Sequence, residues 1–189
     1  MITDRPLLEN LAEIARIKKA HPDRALFVSL MEESNRTAWH ELVKRTLDAG
    51  ADGLELNFGC PHGMSERGMG SAVGQVPEYA ASITGWVKEG TSLPVVVKLT
   101  PNVSNVVPAG RAVVEAGADA LALINTIKSI MGVDLDTFAP LPSVQGQGSH
   151  GGYSGPAVKP IALQMVASLA GDPAITVPIK RGRRSRDLG

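Results

Sequence analysis

The run Asn57-Phe58-Gly59-Cys60-Pro61-His62-Gly63-Met64-Ser65-Glu66-Arg67-Gly68-Met69-Gly70 holds the single cysteine of the chain. By residue type, a lone cysteine is most often a small buried hydrophobe. Position argues otherwise: between Gly59 and Pro61, in a loop with further glycines, a ligand can approach the backbone and receive a proton from the Cys60 thiol. His62 is a second candidate acid, although a loop histidine is commonly just solvated. Lys98 closes the apolar run Val95-Val96-Val97, where an ammonium is costly unless it meets an anion or acceptor, so a ligand-facing role is expected. Asn125 also follows an apolar run; its amide can serve a donor and an acceptor of a planar heterocycle, or simply cap the strand end. His150-Gly151-Gly152-Tyr153-Ser154-Gly155-Pro156 precedes an apolar helical pattern and can be a phosphate or cofactor cradle or a plain connecting turn.

The elements that must position these groups follow from hydrophobic periodicity. Near-helical spacing runs over Leu7 to Lys19, Thr37 to Leu47, Pro77 to Lys88, Ser104 to Ala116 and Pro156 to Leu169. Short aliphatic runs alternate with them at Ala25 to Leu30, Leu54 to Asn57, Pro94 to Leu99, Ala120 to Ile124 and Ala174 to Ile179. Five such pairs make repeated βα units, hence an α/β fold whose parallel sheet is expected to be buried on both faces. Parallel strands bring all their C-terminal ends to one side. The polar groups after the first four runs, Glu32 to Asn35, Asn57 to Gly70, Lys98 to Asn102 and Asn125-Thr126, are therefore expected to converge there.

Length and composition bound the function. The 189 residues amount to about one domain, and 43% hydrophobic residues suffice for a core. A formal net charge of zero gives no reason to expect a nucleic-acid or membrane partner. One cysteine excludes an internal disulfide framework and any all-cysteine metal or iron–sulfur site within the chain, and no metal site is expected. No apolar run approaches the ~18 residues of a membrane span, and a cytoplasmic location is expected. Charge is uneven at the end only: Lys180 to Gly189 holds five basic residues against one acidic.

The ordered motifs Asn57-Phe58-Gly59-Cys60-Pro61-His62-Gly63, Lys98-Leu99-Thr100-Pro101-Asn102, Ile124-Asn125-Thr126 and Gly151-Gly152-Tyr153-Ser154-Gly155-Pro156-Ala157 resemble those of the FMN-dependent dihydroorotate and dihydropyrimidine dehydrogenases. The resemblance runs from about Ile2 to Ile179. It is closest to the pyrimidine-degrading branch, in particular the catalytic subunits of bacterial NAD-dependent dihydropyrimidine dehydrogenases. It implies a TIM barrel with FMN at its C-terminal face and reversible reduction of the C5=C6 bond of uracil or thymine, with Cys60 as proton donor. It further implies that Asn57, Phe58, Gly59, Asn125 and Thr126 line the pyrimidine, and that Lys98, Ser154 and Gly155 contact FMN. NAD(H) and iron–sulfur clusters would enter only through other segments or a flavin- or NAD-reducing partner subunit, in a homo- or hetero-oligomer.

The chain departs from that pattern in extent. A full barrel has eight strands and typically ~250 residues, so the expectation is an incomplete (β/α)₈ TIM barrel over residues 1–179 with about five βα units. Further units would precede Met1 and follow Ile179. Residues 180–189 are expected to be a basic tail foreign to the fold; a frame change fits better than a nucleic-acid arm or a solvated terminus, because the tail replaces a Gly-rich turn that the family pattern requires. Because the turn for the FMN phosphate and the strands that close the barrel fall outside it, little or no dehydrogenase activity is expected of this chain alone; the competing functions are dihydroorotate dehydrogenase and a non-catalytic remnant or partial barrel. A tRNA dihydrouridine synthase shares the Asn-x-Gly-Cys-Pro loop but not the motifs around Lys98 and Gly155, and would want a basic RNA face.

Overall fold

The computed structural model describes residues 5–60, 68–141, 143–144, 147–148 and 151–181. Helix α1 (Leu7–Ala20) leads to strand β1 (Phe27–Leu30), α2 (Arg36–Asp48) to β2 (Gly53–Asn57), and a short α3 (Ser71–Gly74) with α4 (Pro77–Gly90) to β3 (Val95–Lys98). Then come α5 (Val107–Glu115) and β4 (Ala120–Leu123). Three two-stranded antiparallel ribbons follow, formed by β5 (Ile127–Ser129), β6 (Gly132–Val133), β7 (Pro140–Leu141), β8 (Ser143–Val144), β9 (Gln147–Gly148) and β10 (Gly151–Tyr153). A 3₁₀ turn at Pro156–Val158 opens α6 (Lys159–Ala170), and β11 (Ile179–Arg181) completes the sheet.

Five parallel strands in the order β1-β2-β3-β4-β11 make up that sheet, so the fold is α/β as the periodicity predicts. Spatial order follows chain order. Right-handed crossovers between successive neighbours put their helices on one face of the sheet. Burial agrees: Leu54 and Leu56, Val95 and Val97, Leu121 and Leu123 are sealed under Trp39 and Val43 of α2, Ile83 and Val87 of α4, Val113 of α5 and Leu169 of α6. Each such side chain contributes about 1.5–3 kcal/mol by leaving water. The alternate residues Phe27, Ser29, Glu55, Val96 and Lys98 point to the other face and stay partly exposed, Phe27 at 47%. Burial on both faces, expected from the apolar runs, is therefore corrected: within this chain helices cover one face only.

Two further expectations are revised. The run Ala174 to Ile179 is not a strand as far as Pro178. Ala174 N and Ile175 N fold back onto Asp172, and Ile175 and Val177 pack on the core instead, so pairing with β4 begins only at Ile179 opposite Leu121. The same ladder carries Lys180 and Arg181 opposite Ala122 and Leu123, two residues past the boundary expected at 179. Residues 182–189 of the expected basic tail lie outside the described residues. Helix α5 starts at Val107 rather than Ser104, because Asn105 Oδ1 caps Val107 N at 3.0 Å and Pro108 favours a first turn there.

A repeated clasp holds the N-terminal ends of the strands. Ala49-Gly50-Ala51-Asp52 precedes β2 and Ala116-Gly117-Ala118-Asp119 precedes β4. Asp52 Oδ2 accepts from Leu26 N and Lys18 Nζ, both at 2.8 Å; Asp119 Oδ2 accepts from Val95 N at 2.7 Å and Lys88 Nζ at 2.9 Å. Gly50 (φ +91°) and Gly117 (φ +98°) turn the chain left-handed against the stems of the same two lysines. The Lys18 ammonium and the Leu26 amide hold the Asp52 carboxyl below the usual carboxylate range. Burial pushes the Asp119 carboxyl up, but the bonds from Lys88 and Val95 outweigh it and leave it low.

Candidate functional site

At the opposite, C-terminal ends of the strands the ladder continues into the loops. Asn57 and Lys98 are direct neighbours in the β2–β3 register; beyond them Phe58 N donates to Lys98 O at 3.1 Å, Leu99 N to Ala122 O at 3.0 Å and Asn125 N to Leu99 O at 3.3 Å. The first residues of three loops are thus fixed by main-chain bonds. Asn57, buried to 8% exposure, accepts on Oδ1 from Gly59 N at 3.2 Å and from Asn125 Nδ2 at 2.8 Å, while Asn125 Oδ1 accepts from Thr126 N at 2.8 Å. Asn57 Nδ2 makes no hydrogen bond to another described residue and is available to a ligand. The pairing requires glycine at 59: a Cβ there would lie 2.8 Å from Asn125 Nδ2.

Cys60 follows, a free and buried thiol at 8% exposure. Its carbonyl accepts from Ser71 N at 3.1 Å, which anchors the near end of the loop to α3. Ser34 Oγ donates to Gly68 O at 3.1 Å and ties the far end to the segment after β1. Residues 61–67, His62 among them, lie outside the described residues, as does His150. Phe58 differs from its expected role. Its ring, 1% exposed, belongs to the helix-side core, so only its main chain faces the site.

Lys98 lies on the open face of the sheet, and its ammonium donates to Glu55 Oε1 at 2.9 Å. That same oxygen accepts from Ser29 Oγ at 3.0 Å. Glu55 is a residue that the motif reading missed. A signal was present: in a strand, residues two apart share a face, so a carboxylate two positions before Asn57 must stand on the side where Asn57 stands.

Asn102 joins the third and fourth loops. Its Nδ2 donates to Thr100 Oγ1 and to Thr126 O, both at 3.2 Å, and its Oδ1 accepts from Lys128 N at 2.8 Å. The β5–β10 ribbon then lays Tyr153 opposite Ile127 and brings Gly152 against Thr126, placing the glycine-rich segment beside Asn125 and Thr126. Gly155 has φ +106° and leads into the 3₁₀ turn. The donors there are fewer than a helix N-terminus usually offers: Pro156 and Pro160 have none, Val158 N is bonded to Gly155 O at 3.2 Å, and Lys159 N to Pro156 O. Gly155 N, Ala157 N and the exposed Ser154 remain.

A cavity of about 390 Å³ lies between α1 and β1. Leu7, Leu11, Ile14, Val28 and Leu42 line it and it reaches Asn57, but not Cys60, Lys98 or Asn125. Among the described residues, no three His, Cys, Asp or Glu lie together as a metal site would need, and no helix is long and apolar enough to cross a membrane.

Parallel strands in chain order, with helices over one face and polar groups gathered at adjacent C-terminal strand ends, are the construction of α/β barrels. The sequence profile of the dihydroorotate dehydrogenase family matches residues 7–180, and the chain belongs to that family. It is 47% identical over 170 residues to the chloroplastic dihydropyrimidine dehydrogenase (NADP(+)) of Arabidopsis thaliana, covering 90% of this chain and 40% of the relative. Against the NAD-dependent dihydropyrimidine dehydrogenase subunit PreA of Escherichia coli K12 the identity is 43% over 174 residues, 92% of this chain and 42% of the relative. The catalytic subunit of dihydroorotate dehydrogenase B (NAD(+)) from Pyrococcus abyssi is 43% identical over 129 residues, 68% of this chain and 40% of the relative. The chain thus spans about two fifths of the length of these relatives.

Proposed function

We propose that the chain carries the pyrimidine- and flavin-facing part of an oxidoreductase that reduces the C5=C6 bond of uracil or thymine. The observation that carries this reading is the Asn57–Asn125 amide pair, whose unspent donor on Asn57 lies beside the Cys60 loop. A pyrimidine edge alternates carbonyl acceptors and N–H donors, and buried amides select such an edge over an apolar isostere because an unmatched amide would be left unpaired. Two relatives matched over at least 90% of this chain are named as dihydropyrimidine dehydrogenases, which supports uracil or thymine over orotate as the pyrimidine.

The residues present suit FMN. Lys98 stands on the open face beside Asn57 and offers a cation to an electron-rich ring, while Gly155 N, Ala157 N and Ser154 offer donors. FMN, when bound and in its reduced state, would supply the hydride for C6. Cys60 supplies the proton that completes the addition at C5, and its thiolate then takes a proton from solvent. Asn57, Asn125 and Thr126 hold the ring so that C5 faces the thiol, and Asn102 fixes Thr126 through its main-chain carbonyl. NAD(P)H-dependent reduction belongs to other segments or to a partner subunit, as the word subunit in the relatives' names suggests.

The test is anaerobic. Protein reconstituted with FMN is photoreduced and mixed with uracil or orotate, and the return of flavin absorbance is followed. Reoxidation by uracil with formation of dihydrouracil is expected. Faster reoxidation by orotate, or no uptake of FMN, would overturn the proposal.

A further inference from the structure

We infer that Glu55 is a positioning residue that sets the charge and direction of Lys98 toward the flavin; this rests on the proposed function. Three strands contribute a diagonal on the open face: Ser29 on β1 lies opposite Glu55 on β2, and Lys98 on β3 stands two residues beyond Val96, the register partner of Glu55. Both neighbours donate to the same oxygen, Glu55 Oε1, at 3.0 and 2.9 Å. The side chains of Glu55 and Lys98 are only 22% and 26% exposed, so the pair is poorly screened by water. A carboxylate placed mid-strand between Leu54 and Leu56 is unfavourable unless its partners compensate it. The ion pair serves Lys98 in two ways. It selects one direction for a long, flexible side chain, and it offsets part of the positive charge at the strand end. With the offset removed, the ammonium acts at full strength on whatever lies beside it. A reduced, anionic flavin would then gain more than an oxidised, neutral one.

The prediction has a sign that a merely structural carboxylate would not produce. Glu55→Gln keeps the shape and an acceptor oxygen but loses the charge. In FMN-loaded protein it should favour binding of reduced over oxidised flavin by about tenfold, read as a rise of about 30 mV in the two-electron midpoint potential. Glu55→Asp, which keeps the charge, should stay near the parent. Lys98→Met should lower the potential, and adding Glu55→Gln to it should give a smaller further rise than in the parent, because only the direct field of the carboxylate, and not its hold on Lys98, is then lost. An unchanged or lowered potential in Glu55→Gln, or a full further rise in the double variant, overturns the inference while leaving the functional reading intact. Loss of folding in Glu55→Gln overturns it too, since a charge that only positions Lys98 is dispensable to the ladder. Failure of the parent itself to take up FMN overturns both.

Discussion

Replacing Gly59 by alanine tests the amide pair with a single methyl group. The added Cβ would collide with Asn125 Cβ and stand 2.8 Å from its Nδ2 and 2.9 Å from its Cγ, where ordinary contact begins at 3.4 Å, so the whole side chain must retreat, its amide by at least 0.6 Å. Asn125 cannot retreat alone: its N–H is bonded to Leu99 O, its Oδ1 holds Thr126 N and its Nδ2 is bonded to Asn57. The expected cost is the overpacking range of about 1–3 kcal/mol, with the Asn57–Asn125 bond lengthened or lost. A control sits in the middle of α4. A Cβ on Gly85 meets nothing within 4 Å, so Gly85→Ala should instead stabilise by about 0.8–1 kcal/mol through helix propensity alone. Urea unfolding of the two variants should shift the midpoint in opposite directions. In the FMN-loaded protein, Gly59→Ala should also slow uracil reduction by up to about a hundredfold, as misplacements approaching 1 Å do. Parent-like stability and turnover in Gly59→Ala would refute the claim that close backbone approach builds the pocket.

Cys60→Ala should keep FMN binding and slow pyrimidine reduction by about 10²–10⁴, with serine restoring little, checked by single-turnover reoxidation. The Asp52 and Asp119 carboxyls are held low in the folded state, so their contribution to stability is fully present above the ordinary aspartate value near pH 4. It is lost as pH falls through their lower folded values. Urea midpoints should therefore drop on that acid limb, and Asp119→Asn should flatten it while destabilising the protein at neutral pH. Gly110→Ala pushes a methyl to 2.5 Å from Leu169 Cδ2 in the sealed core, and should cost about 1–3 kcal/mol in unfolding experiments.

Much of the fold was legible because its helices and strands obey the simplest periodicities. Arg36–Asp48 and Pro77–Gly90 extend the predicted helices by only a residue or two, since the apolar stripe and the bounding Asn35, Pro77 and Gly90 agree. The last strand was misplaced for a tertiary reason: Ala174 to Val177 is apolar enough for a strand, but no neighbouring strand lies beside it until Leu121. The antiparallel ribbons between β4 and α6 carry few apolar alternations and read as a glycine-rich segment. In the site, Asn57, Cys60, Lys98 and Asn125 stood out because polar groups closing apolar runs are unusual. Glu55 did not, since a single charge inside a strand declares itself only once facing is assigned. Phe58 turns its ring to the core, as a residue directly after a strand can, so a part in the site would fall to its main chain.

The two aspartate clasps beneath the sheet bear on how the chain opens. Each joins a lysine near a helix end to the turn before a later strand, 34 residues on for Lys18 and Asp52 and 31 for Lys88 and Asp119. Each therefore closes a nearly self-contained stretch, α1 to the start of β2 and the end of α4 to the start of β4. Such short closures favour local cooperative units. Native-state hydrogen exchange should resolve two protected blocks, reported by the Leu26 and Val95 amides.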